Sequence, residues 1–216
     1  MKKYFTRHVF LFVLIAGLSQ PLVAQNTSWK GTVSDSWSTV ANWTNGIPDS
    51  NKNAILGDAN FTGSFQPKVN INAICKSITI GGATATSLNI TKELKVYGNF
   101  TIQANATVLH QATYVNVKGN WMNDGSYVAN TTGSITVLNG TAQVIGGSSS
   151  TAFRRLTVNA TSSVSLSGNI SVTGASSMLT VYGVIDPGSP GYTITSEGAI
   201  RIYGNGKLKV NAATFT

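Results

Sequence analysis

The sequence predicts an all-β protein wound as a parallel β-helix, and three observations predict it. A short phrase of alternating apolar and polar residues, ending in a Gly/Asn corner, returns along the chain. Its copies are Leu94-Lys95-Val96-Tyr97-Gly98-Asn99, Val115-Asn116-Val117-Lys118-Gly119-Asn120, Ile135-Thr136-Val137-Leu138-Asn139-Gly140, Leu156-Thr157-Val158-Asn159, Leu179-Thr180-Val181-Tyr182-Gly183 and Ile200-Arg201-Ile202-Tyr203-Gly204-Asn205. Their first residues lie 21, 20, 21, 23 and 21 positions apart, the fixed period of a solenoid in which each repeat is one turn. Composition agrees: charged residues make up only 10%, while Thr, Val and Ile suit pleated backbone and Gly and Asn supply corners. Finally, the stretches between copies hold further short β-like runs. An immunoglobulin-like sandwich also uses short strands, but its strands play different roles and rarely repeat one phrase at near-constant spacing.

Taken in order, residues 1–24 read as a secretory signal peptide. Lys2, Lys3 and Arg7 form its positive end, Val9 to Leu18 its apolar centre, and Leu22-Val23-Ala24 a small-residue exit before Gln25. The apolar run is too short to span a bilayer, and no later stretch is longer, so no transmembrane segment is expected. The chain is therefore expected to be secreted or held at the outer cell surface.

Residues 25–70 have another character. Trp29, Trp37 and Trp43 all fall here, with few other apolar residues, which suggests a compact module built by ring packing. Gly46 and Pro48 mark a turn, and Ala54-Ile55-Leu56 reads as a short strand entering the coil. A solenoid exposes an apolar interior at its ends, so a distinct cap is required, and this segment stands in the N-terminal place.

Residues 71–216 carry the repeats. The intervening runs are Leu88-Asn89-Ile90, Val108-Leu109, Tyr127-Val128, Val144-Ile145, Val164-Ser165-Leu166, Ile170-Ser171-Val172, Thr193-Ile194-Thr195 and Leu208-Lys209-Val210, giving each turn two or three strands. Alternation puts the first and third residues of each phrase inside the coil, Leu94 and Val96 or Ile135 and Val137, with the residue between them in water. Six or seven turns at about 4.8 Å make a rod roughly 30 Å long. Cys75, the only cysteine, forms no internal disulfide and reads as a small core residue.

Candidate chemistry is sparse. The formal charge is +8, but without the leader 12 basic residues face 7 acidic ones. The basic residues stand singly apart from Arg154-Arg155, so neither the clustered patch nor the reading motif that a nucleic-acid partner needs is visible. Glycoside hydrolysis needs two carboxyl groups flanking one bond. The acids are Asp35, Asp49, Asp58, Glu93, Asp124, Asp186 and Glu197; Glu93 and Asp124 are 31 apart, which is not a whole number of turns. Asp124 and Asp186 are 62 apart, three turns or ~14 Å along the axis, too far to cooperate. Asp49-Ser50-Asn51-Lys52-Asn53 begins like a calcium loop, but Ala54 stands where glycine is needed and Asn60 where glutamate is. His110 has no Cys or His nearby in sequence, and Gly146-Gly147-Ser148 lacks the lysine of a phosphate loop. No catalytic residue, metal ligand or cofactor is expected.

Two stretches carry a resemblance. Trp29-Lys30-Gly31, Trp37, Asn42-Trp43 and Gly46-Ile47-Pro48-Asp49 resemble the opening of secreted, repeat-rich surface proteins of Bacteroidota and of autotransporter-type passenger regions. Gly119-Asn120-Trp121-Met122-Asn123-Asp124-Gly125-Ser126, Asn139-Gly140-Thr141-Ala142-Gln143-Val144-Ile145-Gly146-Gly147 and Phe153-Arg154-Arg155-Leu156 are similar to β-helical repeats of large proteins exported by the type IX secretion route. The resemblance implies a right-handed parallel β-helix outside the outer membrane with an adhesive or structural role. Such proteins end in a C-terminal sorting domain; none is recognised here, so further turns or that domain are expected beyond Thr216.

The function expected is that of a secreted, adhesin-type or structural β-helix without catalysis, its partner an extracellular polysaccharide or a cell surface. The alternative is a protein that binds or degrades polysaccharide. Among Tyr97, Trp121, Tyr127, Tyr182 and Tyr203, any exposed ring could stack on sugar, while a buried one would merely brace the coil. Trp121, Tyr127, Arg154 and Arg155 are the candidate glycan contacts.

Overall fold

The structure, a computed structural model, describes residues 25–111, 113–188 and 191–209. The leader read in residues 1–24, and Val210 of the last run, lie outside the described residues. The strands form a nine-stranded, a seven-stranded, a four-stranded and a three-stranded sheet, and every strand pairing is parallel. Apart from the first two strands of the nine-stranded sheet, consecutive strands do not neighbour each other; each pairs with the strand one turn away. This is a parallel β-solenoid. Among the described residues no helix is long and apolar enough to cross a membrane.

The seven-stranded sheet gives the turns their numbers. Its strands are Ala73–Cys75, Leu94–Val96, Tyr114–Val117, Ile135–Leu138, Arg155–Val158, Met178–Val181 and Ala199–Ile202, turns one to seven. Each is followed by a strand of the nine-stranded sheet and, in turns one to six, by one on a third side. That third side changes line halfway. Thr86–Ile90, Ala106–His110 and Ser126–Ala129 continue one sheet, whereas Thr151–Phe153, Ile170–Val172 and Ile194–Ser196 form another. The cause is local. Residues 130–134 separate the third strand of turn three from the next turn, but only Arg154 does so in turn four.

Burial follows the pleat. Leu94, Val96, Val115, Val117, Leu156, Val158, Leu179 and Val181 all point into the coil, and Cys75 lies in the same inward file. Burial pushes the Cys75 thiol well above its usual range, so the group stays protonated and unreactive. Where phrases meet the nine-stranded sheet, backbones stack so closely that a Cβ on Gly119 would collide with the carbonyl carbon of Gly98.

Turn four departs from the expected register. Sequence alternation puts Ile135 and Val137 inside; the structure pairs Val115 with Thr136 and Val117 with Leu138, and buries that second pair. A shift by one residue exchanges the two faces of a strand. A polar chain in the interior explains it. Thr136 Oγ1 lies 3.0 Å from Tyr127 Oη, and Tyr127 Oη 2.6 Å from His110 Nδ1; His110 Nε2 reaches the Thr113 carbonyl at 2.9 Å. The carbonyl accepts only, so Nε2 carries the proton, Nδ1 accepts from Tyr127, and Thr136 donates to Tyr127. Inward Thr136 completes a chain that Ile135 would leave open. Burial lowers the His110 pKa to about 4, and burial likewise raises that of the Tyr127 phenol.

An aromatic cluster fills the interior beside this chain. Phe100 and Trp121 stack at 4.4 Å and 3°, and Trp121 meets Tyr127 edge-on at 4.9 Å and Phe153 at 5.2 Å. Trp121 is fully buried and Tyr127 nearly so. Both were candidate glycan contacts, and both rings lie in the interior rather than on the surface. Trp121 lies in register with Phe100, hence in an inward file, and large rings occupy the space where the third side changes line.

The N-terminal segment is built of rings as expected, yet it is continuous with the coil. Gln25–Ser28 and Lys52–Leu56 are the first two strands of the nine-stranded sheet. Between them Trp29 and Trp43 pack edge-on at 5.1 Å, Trp37 and Trp43 at 4.8 Å, and all three rings are buried. Trp29 Nε1 donates to the Phe65 carbonyl and Trp43 Nε1 to that of Trp37, so two indoles satisfy their donors while filling the end of the interior.

Candidate binding face

The outer face of the seven-stranded sheet is the candidate site. Each phrase turns outward the residue between its two inward ones and the residue just after its last, and parallel pairing lines both up turn after turn; Thr180 of turn six, though it points outward, is covered by its neighbours. The file after the strands runs Lys76, Tyr97, Lys118, Asn139, Asn159, Tyr182, Tyr203; from Tyr97 on, each residue's N–H donates to the carbonyl of the preceding turn's last strand residue. Tyr97, Tyr182 and Tyr203 are each more than two-fifths exposed. Three of the five rings singled out in the sequence therefore share one outward file, and the other two, Trp121 and Tyr127, are inside. Tyr182 and Tyr203 stack at 5.2 Å and 18°, and Lys118 Nζ lies 4.7 Å from the centre of the Tyr97 ring. The first pair is a ring stack and the second places a cation over an aromatic face.

Two hollows open on this face. A small one of about 100 Å³ lies among Lys95, Tyr97, Asn116, Lys118 and Asn139. A wider groove of about 900 Å³ runs along the corner of later turns, with Arg155, Met178, Glu197 and Arg201 in its wall. Arg155 is thus an outward strand residue of the face. Arg154 is not its partner at a solvated corner, as a pair of neighbouring arginines suggests. Its guanidinium donates to the carbonyls of Asn130 at 3.1 Å and Ala175 at 3.0 Å, tying together the corners on either side of its own. The candidate contact Arg154 therefore serves the coil, and Arg155 remains on the surface.

The acids serve corners. Asp124 Oδ1 accepts from the N–H and hydroxyl of Ser148, bonds that hold its carboxyl below the usual range. Asp49 is lowered chiefly by the Asn51 N–H, and Asp186 by its ion pair with Lys209 at 2.8 Å. Asp58 accepts from Ser28 Oγ, Glu93 from Asn116 Nδ2, and Glu197 from the Gly174 N–H. The 62-residue separation does not align Asp186 with Asp124. Asp186 stacks on Ser165, and Ser165 on Val144, which lies beside Asn120. Among the described residues no group of three His, Cys, Asp or Glu is placed to hold a metal ion. Asp49 makes an ordinary turn with Asn51, and His110 belongs to the interior chain.

The sequence signal for this face was the 21-residue interval itself. Lys76, Tyr97, Lys118 and Asn139 stand 21 apart, so a reading by layer places them in one file where a reading by residue type scatters them. Comparison with protein-family models, with curated proteins and with solved structures finds no match.

Proposed function

We propose that this chain is a non-catalytic, secreted or cell-surface rod of the adhesin or structural kind, working through contacts along the outer face of its seven-stranded sheet. The observation that carries this reading is the outward file of Tyr97, Tyr182 and Tyr203 on a face whose strands stay in register over seven turns. The rings touch one neighbour on the adjacent turn, Tyr182 against Tyr203 and Tyr97 against Lys118, and leave about two-fifths of each residue open to water. Repeated weak contacts along a rigid support add as avidity rather than as one deep pocket. The leader read in residues 1–24 and the resemblance to repeat proteins of the type IX route support placement outside the cell. A polysaccharide lyase or hydrolase is less well supported, because Asp124 and Asp186 are tied to Ser148 and Lys209 and do not share a file.

The test is adhesion. Beads coated with the protein should settle on polysaccharide-coated or cellular surfaces, and beads carrying the Tyr97→Ser, Tyr182→Ser, Tyr203→Ser variant should not. Equal adhesion by the triple variant, or shortening of the polymer by the wild-type protein, would overturn the proposal.

A further inference from the structure

At the edge of the face opposite the tyrosine file, where the strands of the seven-stranded sheet begin, the corners of the later turns alternate in length. Residues 130–134 lead into turn four, Arg154 alone into turn five, residues 173–177 into turn six, and Glu197 and Gly198 into turn seven. The coil interior is already filled, so a long corner spanning a gap that one residue can close must bulge outward. The two long corners stand as walls with turn five recessed between them. The Arg154 guanidinium spans that recess, from the Asn130 carbonyl to that of Ala175. The groove of about 900 Å³ follows this edge, from Thr132 and Gly133 of the first wall to Glu197 and Arg201 of turn seven. We infer that it is a binding site of its own, separate from the tyrosine file, for the acidic end of an oligosaccharide: a sugar bearing one carboxylate beside free hydroxyls.

Charge and unused hydrogen-bonding groups carry the inference. Arg155 and Arg201 have no acid or carbonyl partner among the described residues, whose ion pairs lie elsewhere. In register Arg155 stacks on Met178 and Met178 on Ala199, while Thr157, Thr180 and Arg201 form the next file. The two arginines are thus two layers and two residues apart, about 12 Å between backbones, and their long side chains can close on one ligand from either side. Guanidinium groups take carboxylates in paired, charge-assisted hydrogen bonds. Glu197 is the one acid in the wall, so two cations less one carboxylate leave a single net positive charge. That balance suits a monoanion and opposes a phosphate monoester, which carries nearly two charges at neutral pH. Glu197 Oε2 accepts from the Gly174 N–H at 2.7 Å, which leaves Oε1 to accept from a ligand hydroxyl. In turn six, between the arginines, Thr180 is buried on the outward side, and its hydroxyl has no hydrogen-bond partner among the described residues. Ser177, in the wall, is buried with its hydroxyl unpartnered too. Buried hydroxyls are ordinarily bonded, and a polyol supplies what these lack. The volume is that of a small-ligand site, and the layers from turn four to turn seven span about 14 Å, room for about two or three sugar rings. An amino acid also pairs a carboxylate with a group for Glu197, but it would leave most of the groove empty.

The experiment is a calorimetric titration of the full chain with sialyllactose and with a glucuronate-terminated disaccharide, beside lactose, glycine and glycerol phosphate. At least one acidic sugar should bind about tenfold tighter than lactose and glycerol phosphate, and which of the two does so identifies the source of the carboxylate. Arg155→Gln and Arg201→Gln should each weaken that binding about tenfold without moving the thermal unfolding midpoint. Arg155→Lys, which keeps the charge but not the planar fork, should do little better than Arg155→Gln. Thr180→Val should weaken binding about threefold without lowering stability, because its hydroxyl has no partner to lose. The Tyr97→Ser, Tyr182→Ser, Tyr203→Ser variant should bind as the wild type does. The inference would be overturned by no binding of either acidic sugar at millimolar concentration, by lactose or glycine binding as tightly, or by tighter binding of glycerol phosphate. Arginine variants that bind as the wild type does, or loss of binding in the tyrosine variant, would overturn it too. Bead adhesion reads the other proposal: beads that fail to settle refute the role of the tyrosine file and leave the groove standing, while a groove that binds nothing leaves the file standing.

Discussion

The inner and outer files of the seven-stranded sheet are made by the same residues' backbone, yet they obey different rules. Inward positions hold Leu, Val and Ile with little variation, except in turn one, where Ala73 and Cys75 stand, and in turn four, where Thr136 enters to complete a hydrogen-bonded chain. Outward positions vary widely in type, with the cations Lys118, Arg155 and Arg201 in three different files, but the exposed rings Tyr97, Tyr182 and Tyr203 share one. Packing dictates the first pattern, because a coil interior one side chain deep tolerates neither a void nor a spare atom. Packing is indifferent to the second. The lesson is that function in such a coil should be sought where periodicity persists without a structural reason for it.

Substitutions sharpen this division. Trp121→Ala should have the largest effect, removing the ring that touches Phe100, Tyr127 and Phe153 and lowering stability by about 3–5 kcal/mol in urea unfolding. Protein that remains folded should still adhere, because the ring does not reach the surface.

Acid comes next. His110 is held neutral, its pKa lowered from 6.5 to about 4 by burial. Below pH 6.5 the unfolded chain takes up a proton that the folded one refuses, so the stabilisation is complete above that pH and disappears as pH falls toward 4. The loss should approach roughly 3 kcal/mol. Thermal unfolding across this window should show the slope, and His110→Leu should flatten it while lowering stability at every pH.

Gly119→Ala should cost about 1–3 kcal/mol in the same unfolding assay, since a methyl group has no room against the backbone of Gly98. Thr136→Val keeps the shape but removes the donor to Tyr127, about 1 kcal/mol. Thr157→Val, on the outer side of the neighbouring turn, should change stability by about 0.5 kcal/mol or less. The smallest shift belongs to the outer face: Tyr97→Ser should move stability by about 0.5 kcal/mol and still reduce bead adhesion. A large loss of stability there would erase the distinction between the two sides.

Much of this architecture is legible in the repeat. The period announces parallel stacking, and the alternation identifies most inward residues. Even the burial of Trp121 is contained in it, since Trp121 stands 21 residues after the inward Phe100. A surrounding run of Gly, Asn and Asp makes the ring look exposed, and residue type is then a worse guide than layer. The inward turn of Thr136 was not legible. It depends on His110, Tyr127 and Thr113 meeting across two turns, which no local pattern records. The same holds for Arg154, whose partners are carbonyl groups of two distant corners and leave no mark in the amino-acid alphabet. The outer file was legible in spacing but not in chemistry, because only the fold tells that Lys95 is neutralised while Lys76 and Lys118 have no acid beside them on their own turns.

In-register parallel stacking also constrains how such a molecule can lengthen over evolutionary time. Duplicating one 21-residue unit lays down a layer whose inner side chains already match those above and below. The interior accepts it, and the outward file after the strands gains one more member at the same spacing. Descendants of this gene should therefore differ in length by whole turns, because an insertion of any other size slides one face of the coil out of register.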